Sequence, residues 1–334
     1  CLSYSRASLH NAQDALGLEC WVDGVPVLRR GGYAAWWHNA RLQWERPEFA
    51  ALRAMDYPHP IVECERSFDG WSWLYAHSPL CQNNALVDGA GTGRGWGDNR
   101  GYGEVIPFQG GEAAGAPGSG LQVLDVRDHY SWSRVDREVS DYRRALMGIE
   151  GPDGRPYLVG IVTLAGGSRH ALVSSAWAER AEANLPEVAS APEGLGQVLL
   201  PPAPDRHVLP DKVLAQVRNL QVLREPDRAW DLTWAADMAA YAPRDVRGGP
   251  FQRPLPDEVG RVRLRLLGLP QPEGQTQLIR GTGPWIGWLR QPLPGGQQVN
   301  GNVAFVDARD FLIEARAALD DAPLRSRFVH VLEG

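Results

Sequence analysis

The sequence predicts an all-β fold, a large antiparallel β-sandwich. Short apolar or alternating runs recur along the chain, and pairs typical of tight turns separate them, among them Asp23-Gly24, Asp69-Gly70 and Asp153-Gly154. One run alternates strictly between apolar and charged residues, which is typical of a strand with one wet face. Segments with helical periodicity are few. These three observations favour strands joined by turns over a helical fold.

Three pairs of runs flank glycine-containing turns and predict β-hairpins. An Asp-Gly pair turns the chain back alongside the preceding strand, because both residues tolerate a positive φ. The predicted hairpins are Leu16–Val22 with Val25–Leu28, Ile61–Phe68 with Trp71–His77, and Tyr157–Leu164 with His170–Trp177. His170 directly follows the turn of the third hairpin, so we expect this histidine to be exposed.

The clearest single strand begins at Arg261. Its period of two places Val262, Leu264 and Leu266 on one face and arginines on the other. Three less regular runs predict further strands: Asn302–Asp307, Phe311–Ala318 and Arg327–Leu332. Predicted strands therefore continue to the end of the sequence.

Helices and long loops are the remaining predicted elements. Helical spacing occurs at Glu45–Met55 and, less regularly, at Lys212–Leu223. The glycine- and proline-rich stretch Gly89–Gly120 predicts a long loop. We divide the chain into a sandwich core, residues 1–200, and residues 201–334, which either continue the sandwich or form a smaller β domain. No leader and no closing element is evident, so we expect the chain to be cut off at both ends.

Charge and composition exclude several classes of protein. The 334 residues include 34 basic and 40 acidic side chains, and the net charge of −6 argues against a nucleic-acid-binding face. No apolar run is long enough to predict a membrane span. Lys212 is the only lysine, and the preference for arginine suits an acidic sugar or reflects a compositional bias. The four cysteines form no C-x-x-C pair, and we expect free thiols.

Several motifs follow one another in an order that resembles a known family. The quoted segments are His10-Asn-Ala-Gln-Asp14-Ala-Leu16, Arg30-Gly-Gly-Tyr33, Tyr75-Ala-His77, Asn83-Asn84-Ala-Leu-Val-Asp88-Gly89, Tyr142-Arg-Arg-Ala-Leu, Gly166-Gly167-Ser-Arg-His170, Thr276–Pro284 and Ser326–Glu333. They resemble the β-sandwich of the heparinase II/III-like polysaccharide lyases, over nearly the whole chain. The resemblance implies a supersandwich-like fold.

The resemblance also implies a reaction, β-elimination on glycans that contain uronic acids. A base removes the C5 proton beside the carboxylate, the C4–O bond breaks, and an acid protonates the departing sugar oxygen. Positive charge must neutralise the carboxylate, because a second negative charge develops on it. In the family most of these groups come from an N-terminal helical toroid. We therefore expect a missing toroid domain of the same protein, a periplasmic or extracellular location, and no activity from this chain alone.

Seven residues of this sequence are candidates for the site, most of them through the resemblance. His10 and Tyr33 are expected to be catalytic, because they stand at or near the family's sandwich histidine and tyrosine. The expected substrate contacts are Arg30, Trp36, His77, Asn83 and Asn84. A guanidinium suits the uronate carboxylate, and a flat indole suits the C–H face of a sugar. Plain alternatives stay open, since tryptophans fill the space between sheets and buried amides satisfy backbone groups.

Three positions depart from the family's pattern. Several members bind zinc in the sandwich through two histidines and an aspartate, where this sequence has Ala12, Arg30 and Asn83. None of the three is a good zinc ligand, so we expect no zinc and no other cofactor. Because these family ligands are missing, an alternative stays open, in which the chain is a non-catalytic carbohydrate-binding or scaffold domain. An epimerase that removes the same C5 proton is a third interpretation.

Overall fold

The computed structural model describes sixteen parts of the chain, and all structural statements below refer to these residues. They are residue 75 and residues 16–22, 25–28, 61–63, 78–91, 103–109, 121–128, 139–151, 154–177, 180–184, 189–190, 211–224, 229–236, 262–269, 275–292 and 298–334. The predicted helix Glu45–Met55 and most of the second predicted hairpin lie outside them.

Strands account for most of the described residues. They are β1 (Cys20–Val22), β2 (Val25–Leu28), β3 (Ile61–Glu63), β4 (Ala85–Val87), β5 (Gly103–Gln109), β6 (Leu121–Asp128), β7 (Asp141–Glu150), β8 (Pro156–Ala165), β9 (Arg169–Trp177), β10 (Arg180–Asn184), β11 (Ala189–Ser190), β12 (Arg218–Arg224), β13 (Trp230–Ala236), β14 (Val262–Gly268), β15 (Gln275–Pro292), β16 (Gln298–Ala317) and β17 (Arg325–Glu333). Two short helices accompany them, a 3-10 turn at Pro79–Cys81 and α1 at Asp211–Leu214.

The strands form two large sheets and one hairpin. Sheet A has eight strands in the order β10-β13-β14-β17-β8-β7-β6-β5, and sheet B has seven strands, β11-β12-β15-β16-β9-β4 with β3 on β16. The hairpin β1–β2 contacts β9 of sheet B and β14 of sheet A. All pairings among the described strands are antiparallel, which confirms the predicted all-β sandwich. Each large sheet combines strands from before and after residue 200.

Apolar residues from both sheets meet in one core. Leu146 and Phe328 of sheet A share a buried cluster with Leu172 and Leu312 of sheet B. Burying a side chain of this size contributes about 1.5–3 kcal/mol to folding. The predicted alternation of β14 is confirmed, because Val262, Leu264 and Leu266 are buried while the intervening arginines are exposed. Sheet A therefore has one dry face and one wet face.

Sheet B is covered on both faces. Its inner face meets sheet A, and a second buried cluster lies on its outer face, where Val173, Phe311 and Ile313 pack against Leu80 and Val213. A strand buried on both sides has no need to alternate between apolar and polar residues. This explains why β9 and β16 alternate less regularly in sequence than β14.

Two of the three predicted hairpins have described strands on both sides of the turn, and only one of the two forms. The pairing of β1 with β2 confirms the first. The third is wrong, because β8 belongs to sheet A and β9 to sheet B. Between them Gly166 and Gly167 adopt φ values of 115° and 68° and carry the chain from one sheet to the other. A Cβ on Gly167 would lie 2.6 Å from Asp88 Oδ2, so only glycine fits there.

Two further predictions are wrong in extent. The predicted helix Lys212–Leu223 ends at Leu214, and β12 begins at Arg218 because that segment pairs with β15. The predicted loop Gly89–Gly120 contains β5, which extends the edge of sheet A. In both places pairing with a distant strand overrides the local sequence pattern.

Candidate functional site

Two of the seven predicted site residues, Asn83 and Asn84, lie in the described part of the chain. Both are buried, with 2% and 0% of their surface exposed. The other five lie outside it: His10, Arg30, Tyr33, Trp36 and His77. The described part of the candidate site is therefore the surroundings of the two asparagines.

Asn83 joins the residues just after the first motif segment to sheet B. Its Nδ2 donates to the carbonyl of Leu18 at 2.9 Å, and its Oδ1 accepts from the backbone N–H of Ser175 at 2.7 Å and from the Ser175 hydroxyl at 2.9 Å. The residue has a φ of 50°, which asparagine tolerates better than most side chains. Its side chain is thus occupied by protein groups, and its predicted contact with substrate stays a prediction.

Arg144 approaches the same place from sheet A. Only 3% of its surface is exposed, and its Nη1 donates to the backbone carbonyls of Leu16 and, at 3.1 Å, of Asn83. Burial lowers the pKa of this guanidinium from its usual value, although arginine stays charged in proteins. Arg144 and Asn83 together hold the carbonyls of Leu16 and Leu18. We call this set the Asn83–Arg144 junction.

Asn84 makes a second link between the sheets. Its Oδ1 accepts from the backbone N–H of Ala85 at 2.8 Å and from the hydroxyl of Tyr142, which is fully buried. Its carbonyl accepts from the N–H of Val173 at 2.9 Å. The predicted substrate contact of Asn84 also stays a prediction, and the alternative of satisfied backbone groups agrees with this geometry.

Asp88 ties two of the motif segments together directly. Its Oδ1 accepts three hydrogen bonds of 2.9 Å, from the N–H and hydroxyl of Ser168 and from the N–H of Arg169. The aspartate has a φ of 49° and stands at the end of the segment that begins with Asn83. The Val-Asp-Gly and Gly-Gly-Ser-Arg-His motifs are therefore one structural unit.

His170 is buried, so the expectation of an exposed histidine is wrong. Its Nε2 lies 2.6 Å from the carbonyl of Gly166 and its Nδ1 lies 2.8 Å from Ser326 Oγ, with 1% of the residue exposed. Since a carbonyl only accepts, Nε2 carries the proton and Nδ1 accepts from the serine. Burial lowers the pKa of His170 to about 4, which keeps the ring neutral near pH 7.

Charged residues of β16 also point between the sheets. Asp310 accepts from Trp234 Nε1 at 2.8 Å and from Arg280 at 3.4 Å, and burial raises its pKa to about 6. Glu314 Oε2 lies 3.0 Å from Nε2 of His330. None of these residues was predicted from the sequence. Asp310 and Glu314 each lie two residues from Leu312. Because residues two apart share one face of a strand, this spacing could have predicted that both face the core.

Arg144 was missed in the same way, although its motif was noticed. Tyr142, Arg144 and Leu146 are two residues apart along β7 and are all buried. Because side chains two apart in a strand share a face, all three lie on the inner face of the sheet. Nothing in the sequence identifies the carbonyl of Leu16, 128 residues away, as its acceptor.

The described residues contain neither a cluster of metal-ligating side chains nor a helix that could span a membrane. No group of three or more His, Cys, Asp or Glu side chains there is close enough to hold a metal ion. Asn83, one of the three positions compared with the family's zinc ligands, is already occupied by Leu18 and Ser175. The expectation of no zinc stays a prediction. No helix in the described part of the chain has the length and apolarity of a membrane span.

No protein-family profile matches the chain, and no curated protein is significantly similar to it. Solved structures are similar, among them a heparinase III gene product with methylated lysines, with 11% identity and a TM-score of 0.38. Another is the crystal structure of a heparinase III, with 9% identity and a TM-score of 0.35. Each match covers 99% of this chain and 31% of that chain. These structures bear the name of the family that the sequence motifs resemble, and at TM-scores below 0.5 the likeness carries no further conclusion.

Proposed function

We propose that this chain is the β-sandwich portion of a polysaccharide lyase that cleaves uronic-acid-containing glycans by β-elimination. One observation carries the proposal. The segments that resemble the lyase family are far apart in sequence, yet they bond to one another. Asn83 and Arg144 hold the carbonyls of the Leu16 segment, and Asp88 holds Ser168 and Arg169. The segments therefore belong to one structural unit, as a shared site would require.

The proposal gives the sandwich a positioning role and part of the chemistry. The segment from Leu16 to Leu18 directly follows the His10–Asp14 motif in the chain, and its carbonyls are fixed from both sheets. A general acid or base must lie within hydrogen-bond reach of the atom that it serves, so a fixed neighbouring segment favours catalysis. His10 and Tyr33 would transfer protons, and Arg30 would neutralise the uronate carboxylate. Trp36 and His77 would contact the sugar rings.

Groups outside this chain complete the proposed reaction. The compared structures are about three times longer than this chain, since each match covers 31% of them. We propose that a helical domain of the same protein supplies the remaining base and carboxylate-neutralising groups. A periplasmic or extracellular location follows from the proposed substrate, because long acidic glycans lie outside the cytoplasm.

The test is an elimination assay on the complete protein and on the 334-residue chain in parallel. Each is mixed with heparan-, alginate- and hyaluronan-type glycans, and the ultraviolet absorbance of the new C4=C5 double bond is followed. We expect product from the complete protein on at least one uronate glycan and none from the chain alone. If the complete protein yields no unsaturated product while the chain binds the glycans in affinity electrophoresis, the carbohydrate-binding alternative replaces the lyase.

A matched pair of variants tests the role of His10. His10→Ala in the complete protein should lower turnover by roughly 100-fold or more, as expected for a general acid–base group. His207→Ala is the control, because this histidine belongs to none of the motif segments, and its turnover should stay within about twofold of the parent. Equal activity of the two variants would remove His10 from the mechanism.

A further inference from the structure

A small cavity with a partly polar lining lies between the sheets beside Arg144. Its volume is about 20 Å³, and Asn83, Arg144, Ser174 and His330 line it among apolar side chains. The space exists because Gly160 faces inward between two larger neighbours, paired with Leu146 on β7 and with His330 on β17. A polar cavity larger than roughly 10–15 Å³ has room for one water-sized particle. The cavity therefore suits one small species and is far too small for a sugar.

Arg144 gives this cavity its charge. Its Nη1 donates to two carbonyls, and no carboxylate in the described part of the chain bonds to it. A guanidinium has five N–H donors and no acceptor, so donors remain for a further partner. Among the described residues this buried cation thus has no anion beside it, and an anionic partner would offset the unfavourable free energy of burying its charge.

The other polar walls are partly occupied. Asn83 uses its Nδ2 on Leu18 and its Oδ1 on Ser175. His330 has its Nε2 beside Glu314 Oε2, and that carboxylate does not line the cavity. Ser174 contributes a hydroxyl, which can donate to an anion or exchange hydrogen bonds with a water. Of these two occupants only the anion would also compensate the charge of Arg144.

We propose that this cavity binds one small monovalent anion of the halide class, held by the Arg144 guanidinium with the hydroxyl of Ser174. The anion compensates the buried charge of Arg144 and so stabilises the Asn83–Arg144 junction. This inference concerns the folded chain and is independent of the proposed lyase activity.

Two measurements on the 334-residue chain test the anion directly. Crystals grown in sodium bromide should show an anomalous scattering peak in contact with the Arg144 guanidinium. The Tm should be about 2 °C or more higher in sodium chloride than in sodium gluconate at equal ionic strength, because gluconate is too large to enter. A peak without anomalous signal, which marks a water, or equal Tm values in the two salts would overturn the proposal.

Two glycine variants locate the effect. A Cβ at Gly160 enters the cavity and meets Leu146 Cδ2 at 3.6 Å and the carbonyl of His330 at 3.9 Å, which are ordinary contacts. Gly160→Ala should therefore fold, as circular dichroism would show, and lose the Tm difference between chloride and gluconate. Gly148→Ala is the matched control, because its Cβ meets Gln122 at 3.7 Å outside the cavity. It should keep the difference, and a Gly160→Ala protein that also keeps it would contradict the site.

Discussion

Arg143 and Arg144 are neighbours on β7, yet they lie in two different environments. Arg143 is on the wet face of sheet A, where its side chain is 39% exposed and its Nε donates to Asp125 Oδ1 at 2.7 Å. Arg144 is on the dry face, where it holds the backbone carbonyls of Leu16 and Asn83, which lie outside the strands. The comparison shows that the position on the strand, and not the residue type, decides whether an arginine forms a partly exposed ion pair or buried hydrogen bonds that link separate segments.

Ion pairs on the wet face have partly exposed side chains. Arg265 Nη2 lies 2.5 Å from Asp231 Oδ2, with side-chain exposures of 48% and 16%, and Arg127 pairs with Asp141 at 3.1 Å, with exposures of 40% and 27%. Exposed pairs of this kind contribute about 0–1 kcal/mol. A buried group that loses its partner has no water to replace it, and the cost is about 1–3 kcal/mol for each unsatisfied atom.

The largest expected difference is between two arginine variants. Arg144→Met leaves the carbonyls of Leu16 and Asn83 without a donor, and we expect the free energy of unfolding to fall by about 3 kcal/mol. Arg265→Met, on the wet face, should lower it by less than about 1 kcal/mol. Urea denaturation of both variants and the parent measures the two values. Similar decreases in the free energy of unfolding for the two variants would contradict the distinction between the dry and the wet face of sheet A.

Two asparagines allow the same comparison with backbone conformation held constant. Asn83 and Asn219 both have left-handed φ values, 50° and 53°, but Asn219 is exposed and its Nδ2 donates to Thr282 at the surface. Asn83→Ala should cost about 3 kcal/mol or more, because Leu18 and Ser175 lose buried hydrogen-bond partners and alanine meets the same unfavourable φ. Asn219→Ala should cost about 1 kcal/mol, mainly from the unfavourable φ. Equal costs, measured by urea denaturation, would show that Asn83 acts only through its backbone.

Buried titratable groups should make opposite contributions to the pH dependence of stability. The pKa of Asp310 is raised to about 6, so acidification from pH 6 towards pH 4 protonates it in the folded state and stabilises the fold. The pKa of His170 is lowered to about 4, so over the interval from pH 6.5 to pH 4 only the unfolded state gains its proton and the fold loses stability. In the parent these two effects largely cancel.

Removing either group should expose the effect of the other. Between pH 7 and pH 4.5, Asp310→Asn should lose more stability than the parent, and His170→Gln less, each by on the order of 1 kcal/mol. Urea midpoints at the two pH values measure both. Identical pH profiles for the parent and the two variants would show that neither group titrates with a shifted pKa.

The sequence predicts which face of a strand is buried better than it predicts which strands pair and which groups form hydrogen bonds. The alternation in β14 follows from one wet and one dry face, and the turn at Asp23-Gly24 follows from local conformation. Gly166-Gly167 has the same local signal but carries the chain between sheets, because the choice depends on strands such as β17 that pair much later in the chain. The acceptors of Arg144 and Asn83 were likewise beyond prediction, since only the folded topology brings Leu16 and Leu18 to them.

The central claim is that Arg144 and Asn83 hold the Leu16–Leu18 segment as one unit. The most direct measurement is a double-mutant cycle of Arg144→Met and Asn83→Ala, read from urea denaturation of the parent, both single variants and the double variant. Once either residue has released the segment, losing the other should cost less, so we expect the combined loss to fall short of the sum by at least about 1 kcal/mol. The control cycle of Arg144→Met with Asn219→Ala should be additive within about 0.5 kcal/mol. Additive losses for Arg144 and Asn83 would contradict the junction.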